Sequence, residues 1–98
     1  MTPAAFMHSL RERLPPETIP AALEALWWAA KGDWNKAHEI AQSDDGADAA
    51  WVHAYLHRLE GDLANARYWY ARAGRPPATG RIETEWDVIV EALLAKAE

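Results

Sequence analysis

The feature that most constrains the fold of this chain is a short motif that occurs twice. The segment Lys31–Ala37 (KGDWNKA) matches Glu60–Ala66 (EGDLANA) at an offset of 29 residues, and in both copies a Gly-Asp pair separates two helix-forming stretches. Self-similarity on this scale is typical of stacked helical hairpins, because one hairpin cannot bury its apolar face alone. The repeat therefore predicts an all-α fold in which helices at both ends of the chain close the core.

Proline and glycine divide residues 1–98 into about six predicted helices within a single domain. Two helices pair around each Gly-Asp turn, which places repeat units at about residues 19–47 and 48–76. Capping helices are expected at about residues 3–14 and 82–96. The last helix has the clearest amphipathic stripe, and we expect it to show four carboxylates to water: Glu83, Glu85, Asp87 and Glu91.

Small and aromatic residues around the two turns resemble the consensus of the tetratricopeptide repeat. That consensus has Gly-Asp-aromatic at the turn, then alanine, a bulky aromatic residue and alanine along the second helix. The matching residues are Ala54, Gly61-Asp62-Leu63, Ala66, Tyr70, Ala73 and Pro76 in the second unit, and Ala25, Gly32-Asp33-Trp34 and Ala37 in the first. The resemblance implies two stacked antiparallel helix-turn-helix units that form a protein-interaction module.

The chain departs from that family in two respects. Ala41 stands at the bulky position of the first unit and Asp44 at its last alanine, and the period of 29 residues is shorter than the usual 34. The run Trp51–Asp62, together with residues 65–70, is also similar to a small bacterial family of uncharacterised tetratricopeptide-like proteins. That second resemblance implies no particular function.

Charge is distributed unevenly along the chain. The net charge of −5 argues against non-specific nucleic-acid binding, which needs a basic surface. Residues 58–81 carry five arginines and two carboxylates, for a net +3, whereas the remainder of the chain carries a net −8. Arginine suits bidentate contacts with carboxylates. The region therefore predicts a site for an acidic partner, the alternative being solvated helix faces.

Several classes of protein are disfavoured by what the sequence lacks. It has no cysteine, no basic-then-apolar start, and no apolar run near the roughly 20 residues that span a bilayer, so we expect a cytoplasmic protein without a membrane partner. It shows no nucleophile arrangement, no Gly-rich phosphate loop and no close carboxylate pair. We predict a non-catalytic protein without a cofactor, present as a monomer or a homodimer.

Trp51, Tyr55 and Arg58 project from one side of the fourth predicted helix, at i, i+4 and i+7. The tetratricopeptide resemblance implies that this side lines a concave groove. Since Trp, Tyr and Arg dominate interface hot spots, we predict that these three residues and Arg72 bind a peptide or an acidic protein. The alternative is that a terminal helix covers this side.

Three histidines form the other candidate site. His53 and His57 are four residues apart and share one face of the fourth helix, and His38 can face them from the preceding unit. Imidazoles at packing positions need hydrogen-bond partners. With Asn65 and Tyr68, the histidines predict either a buried polar network or a small-molecule or metal site centred on His53 and His57. A site of that kind, hydrolase-like or sensor-like, is the alternative to protein binding.

Overall fold

The computed structural model describes residues 1–97, which form six α-helices and no β-strand. The predicted all-α class is confirmed. The helices are α1 (Pro3–Ser9), α2 (Ala21–Ala30), α3 (Trp34–Gln42), α4 (Ala47–Glu60), α5 (Leu63–Ala73) and α6 (Ile82–Ala97). Within this described part of the chain, no helix is both long and apolar enough to cross a membrane.

The repeated motif builds the same turn twice, once between α2 and α3 and once between α4 and α5. Gly32 and Gly61 have φ values of +87° and +90°, the left-handed region that glycine adopts without strain at the end of a helix. The aspartate that follows then caps the next helix. The carboxylates of Asp33 and Asp62 each accept a hydrogen bond from the backbone N–H three residues on, at 3.1 and 3.2 Å. Stacking of the two hairpins in the tetratricopeptide manner stays a prediction.

The core lies where α2, α4 and α6 meet. α6 packs against both α2 and α4, and α1 packs against α6. Trp86 of α6 donates its indole N–H to the carbonyl of Leu26 at 3.0 Å, which ties α6 to α2. The largest fully buried side chains are Trp27, Tyr70, Phe6, Leu23, Leu26, Leu56, Ile89, Val52 and Val90.

The first helix is shorter than predicted, because α1 ends at Ser9 instead of near residue 14. Leu14 remains exposed, so a longer helix would bury no further apolar surface. The carbonyl groups of Leu10 and Glu12 accept hydrogen bonds from the Lys31 ammonium at 2.7 and 2.9 Å. Those contacts satisfy backbone groups in the turns that replace the last part of the predicted helix.

The amphipathic stripe of α6 forms as predicted, but one carboxylate lies on the buried side. Glu83, Asp87 and Glu91 are exposed, whereas Glu85 is buried, so the prediction that all four face water is wrong for Glu85. The reason is a set of partners for its carboxylate, which also explains the position of Arg58.

Candidate functional site

The predicted aromatic and arginine side of α4 lies beneath α6. Trp51 and Tyr55 are each only 6 % exposed, and Arg58 is half-buried. α6 has an apolar stripe that must be buried, and large aromatic rings offer it extensive contact area. The sequence left open that a terminal helix covers this side of α4, and the structure shows that α6 does so. Of the three residues, Trp51 still borders a surface pocket, together with Arg75 and Val88.

Arg58 links α4 to α6 and to the segment just before α6. It donates from Nη1 to Glu85 Oε1 at 2.9 Å and from Nη2 to the carbonyl of Gly80, while the hydroxyl of Tyr70 donates to Glu85 Oε2. Burial, reinforced by the hydrogen bond to Glu85, raises the pKa of Tyr70 above its usual value. Burial and the same carboxylate raise the pKa of Tyr55 to about 12. The network joins α4, α5 and α6 and satisfies the charge of Glu85.

α5 presents a basic surface to solvent. Two i,i+4 pairs stand on its solvent side, Leu63 with Arg67 and Tyr68 with Arg72. All four side chains are exposed, with Leu63 at 56 % and Tyr68 at 54 %. α5 contains no acidic residue. The two pairs lie on opposite flanks of this exposed side, because Arg67 and Arg72 are five positions apart, about 140° around the helix. We call these four residues together the arginine face.

Aromatic rings, rather than carboxylates, contact Arg72 in this face and Arg75 beside it. Arg72 donates to the Tyr68 hydroxyl at 3.2 Å, and its guanidinium lies 5.2 Å from the Trp69 ring. Arg75, just beyond α5, stacks 3.7 Å above Trp51. Among residues 1–97, no carboxylate forms an ion pair with Arg67, Arg72 or Arg75. Their charge is therefore available to a partner.

The three histidines do come together, between α3 and α4. Their metal-ligating ring atoms lie within 4.8 Å of one another. His38 Nε2 and His53 Nε2 are 2.9 Å apart, so one ring donates a hydrogen bond to the other. The rings of His53 and His57 stack with centroids 4.9 Å apart. His53 is 3 % and His57 5 % exposed, and His38 is half-buried at the edge of the cluster.

Three further side chains surround the cluster, and the sequence argument missed all of them. Trp34 stacks on His38 with ring centroids 4.8 Å apart, and Trp69 stacks on His53 at 3.8 Å. Glu60 Oε2 lies 2.6 Å from His57 Nδ1. Helical spacing could have found Trp34 and Glu60, because they stand four and three residues from a histidine. Trp69 could not be placed without the packing of α5 on α4.

The environment favours neutral imidazoles at two of the three positions. Burial is the main cause that lowers the pKa of His53 to about 4, and the neighbouring His38 and His57 lower it further. The pKa of His38 is also lowered, first by burial and then by His57. Both rings are therefore uncharged near pH 7, the form in which histidine binds metals.

Asn65 and Tyr68 are not drawn into the cluster. Tyr68 points to solvent, where its ring meets Trp69 edge-on at 5.3 Å. The described hydrogen bond of Asn65 is a helix cap made by its backbone N–H. A cavity of about 60 Å³ borders the cluster instead, with His53, Trp69 and Arg72 in its wall. That volume accommodates at least one water molecule.

Comparison with known proteins adds no precedent for these sites. No protein-family model, curated protein or solved structure matches the chain.

Proposed function

We propose that this protein is a non-catalytic interaction module whose arginine face on α5 binds an acidic segment of another protein. The observation that carries the proposal is that Arg67 and Arg72 are exposed on a helix without any acidic residue and have no carboxylate partner among residues 1–97. Two other arginines supply a contrast, since Arg58 pairs with the buried Glu85 and Arg81 with Glu83 at 3.5 Å.

The composition of the arginine face favours a protein over a small anion. Each arginine has an apolar or aromatic neighbour one helical turn away, Leu63 for Arg67 and Tyr68 for Arg72. Aromatic and arginine side chains dominate binding energy at protein interfaces. A segment that combines carboxylates with apolar side chains matches both components, whereas a phosphate ion would use only the charge.

Stacking also reduces the entropy that Arg72 loses on binding. Its guanidinium is already held against Tyr68 and Trp69, and the planar group can still form two parallel hydrogen bonds to a carboxylate. Side chains that are ordered before binding lose less rotamer freedom when a partner arrives. Arg72 therefore serves as the anchor of the interface, and Arg67 as the second contact.

Selection from a random displayed peptide library tests the proposal without a known partner. We expect the enriched peptides to combine Asp or Glu with apolar residues. The double variant Arg67→Ala/Arg72→Ala should weaken their binding by about tenfold or more, because it removes two interface arginines.

Arg11→Ala/Arg13→Ala is the matched control, since it removes the same charge from exposed positions in the turns after α1. It should retain the binding of the unmodified protein. Enriched peptides without acidic residues, or equal loss of binding in both double variants, would count against the proposal.

A further inference from the structure

We propose that His38, His53 and His57 form a binding site for one divalent transition-metal ion of the zinc class. The proposal is independent of partner binding by the arginine face. It rests on the convergence of three imidazoles from two helices on a common point. No other role described for the protein requires three histidines in that place.

The distances between the ring atoms fit such an ion after small side-chain rotations. Zinc–imidazole bonds of about 2.0–2.1 Å at tetrahedral angles place ligand nitrogens about 3.3 Å apart. His38 Nε2 and His53 Nε2 are 2.9 Å apart, and all three ligand atoms fall within 4.8 Å of one another. Because the three ring nitrogens are already this close together, they need only small movements to reach the spacing of a tetrahedral site.

Glu60 orients the third ligand. Its carboxylate accepts a hydrogen bond from Nδ1–H of His57 at 2.6 Å, which fixes the tautomer and leaves the Nε2 lone pair for a metal. Metal-bound histidines usually donate their other ring N–H to a carboxylate or a carbonyl in this way. The pair of Glu60 and His57 therefore reproduces the outer sphere of a histidine metal site.

His38 and His53 require one tautomer change. At 2.9 Å, the Nε2–H of one ring donates to the Nε2 lone pair of the other. A bound cation needs both lone pairs, so this hydrogen moves to Nδ1 of the same ring and no net proton is lost.

The surroundings define what such a site offers. Trp34 and Trp69 stack on His38 and His53 and restrict their rings. Three histidines leave the fourth tetrahedral position for water or a small ligand, and the cavity beside His53 has room for a water molecule. Imidazole ligands suit Zn²⁺, Ni²⁺ and Cu²⁺ and exclude Ca²⁺ and Mg²⁺, which prefer oxygen.

Calorimetric titration of the tag-free chain with Zn²⁺, after treatment with a chelator, tests the site. We expect one ion per chain. His38→Phe should weaken binding more than about 100-fold, beyond the loss typical of an outer-sphere change. Phenylalanine keeps a ring that can stack on Trp34, and position 38 is only half-buried, so the fold should survive.

Two matched pairs make the result specific. Glu60→Gln should weaken Zn²⁺ binding about 10–100-fold, as expected for an outer-sphere partner, whereas Glu39→Gln on the exposed side of α3 should not change it. His8→Phe, at an exposed position of α1, should bind like the unmodified chain. Absence of saturable Zn²⁺ binding, or equal affinities for His38→Phe and His8→Phe, would overturn the proposal.

Discussion

At the scale of single residues, the side chains that depart from simple packing are the buried polar residues His53, His57 and Glu85, and each of them has a specific partner. Glu85 receives hydrogen bonds from Arg58 and Tyr70, and His57 is bonded to Glu60. Leaving such a group without its partner would cost roughly 1–3 kcal/mol, or more for a charge. Substitution of one member of such a pair should therefore destabilise the fold.

The positions of these buried polar side chains could be predicted in part from the sequence. The spacing of His53 and His57 correctly predicted a shared face, and His38 does meet them. Glu85 stands four residues before Ile89, which is a position on the buried stripe, so its burial was open to prediction. Its partners were not, because Arg58 and Tyr70 lie on other helices and only tertiary packing brings them together.

The first prediction concerns tyrosine ionisation at alkaline pH. The folded state raises the pKa of Tyr70, and that of Tyr55 to about 12, whereas the unfolded value is about 10. Groups with a raised folded pKa contribute stability fully below pH 10, and the contribution is lost as pH rises through the folded pKa. The free energy of unfolding should therefore fall between pH 9 and 11, by on the order of 1 kcal/mol per tyrosine.

Urea unfolding at several pH values measures this dependence. Tyr70→Phe lacks the hydrogen bond to Glu85, so it should be less stable than the unmodified chain at pH 8. Above pH 10, its free energy of unfolding should decline less steeply. Tyr68→Phe is the control because its ring lies on the surface. An unchanged decline in Tyr70→Phe would show that this hydroxyl does not contribute.

At the scale of helices, α6 decides which side of α4 is accessible. Its apolar stripe could be read from residue spacing, and so could the aromatic side of α4. Both are apolar, but spacing alone does not tell whether two such surfaces meet or whether one stays open for a peptide. The tetratricopeptide resemblance favoured a groove, whereas the structure packs α6 against α4 and buries Trp51 and Tyr55.

The second prediction follows from the tie between α4 and α6. Arg58→Ala leaves Glu85 buried without its cation, which should lower the free energy of unfolding by about 3 kcal/mol. For a chain of this size the melting temperature should fall by roughly 10–20 °C. This differs from the sequence-based expectation that Arg58 serves a partner, in which its removal would leave stability unchanged.

Arg81→Ala is the matched control for that experiment. Arg81 also pairs with a glutamate of α6, but both side chains are exposed, so the change should stay within about 0.5 kcal/mol. Thermal and urea unfolding of the two variants make the comparison. Equal stability of Arg58→Ala and Arg81→Ala would mean that the ion pair between Arg58 and Glu85 does not stabilise the packing of α6 on α4.

At the scale of the whole molecule, the exposed carboxylates of α6, the exposed arginines of α5 and the histidine cluster lie on different helices. The exposed side of α6 is acidic, with Glu83, Asp87 and Glu91, whereas α5 has arginines and no carboxylate. The histidine cluster lies between α3 and α4, with Trp69 of α5 against it. The excess of arginine in residues 58–81 predicted a partner of acidic character but not the surface that binds it, because the position of each arginine depends on how the helices pack.

The most direct measurement is a ¹H–¹⁵N NMR titration of the full chain with an acidic peptide selected from the displayed library. Chemical-shift changes should be confined to α5 around Arg67, Tyr68 and Arg72, and should shrink as salt is added. Changes centred on Trp51 and Tyr55 would contradict the proposed function. They would mean that α6 moves aside and that the covered side of α4 is the binding surface.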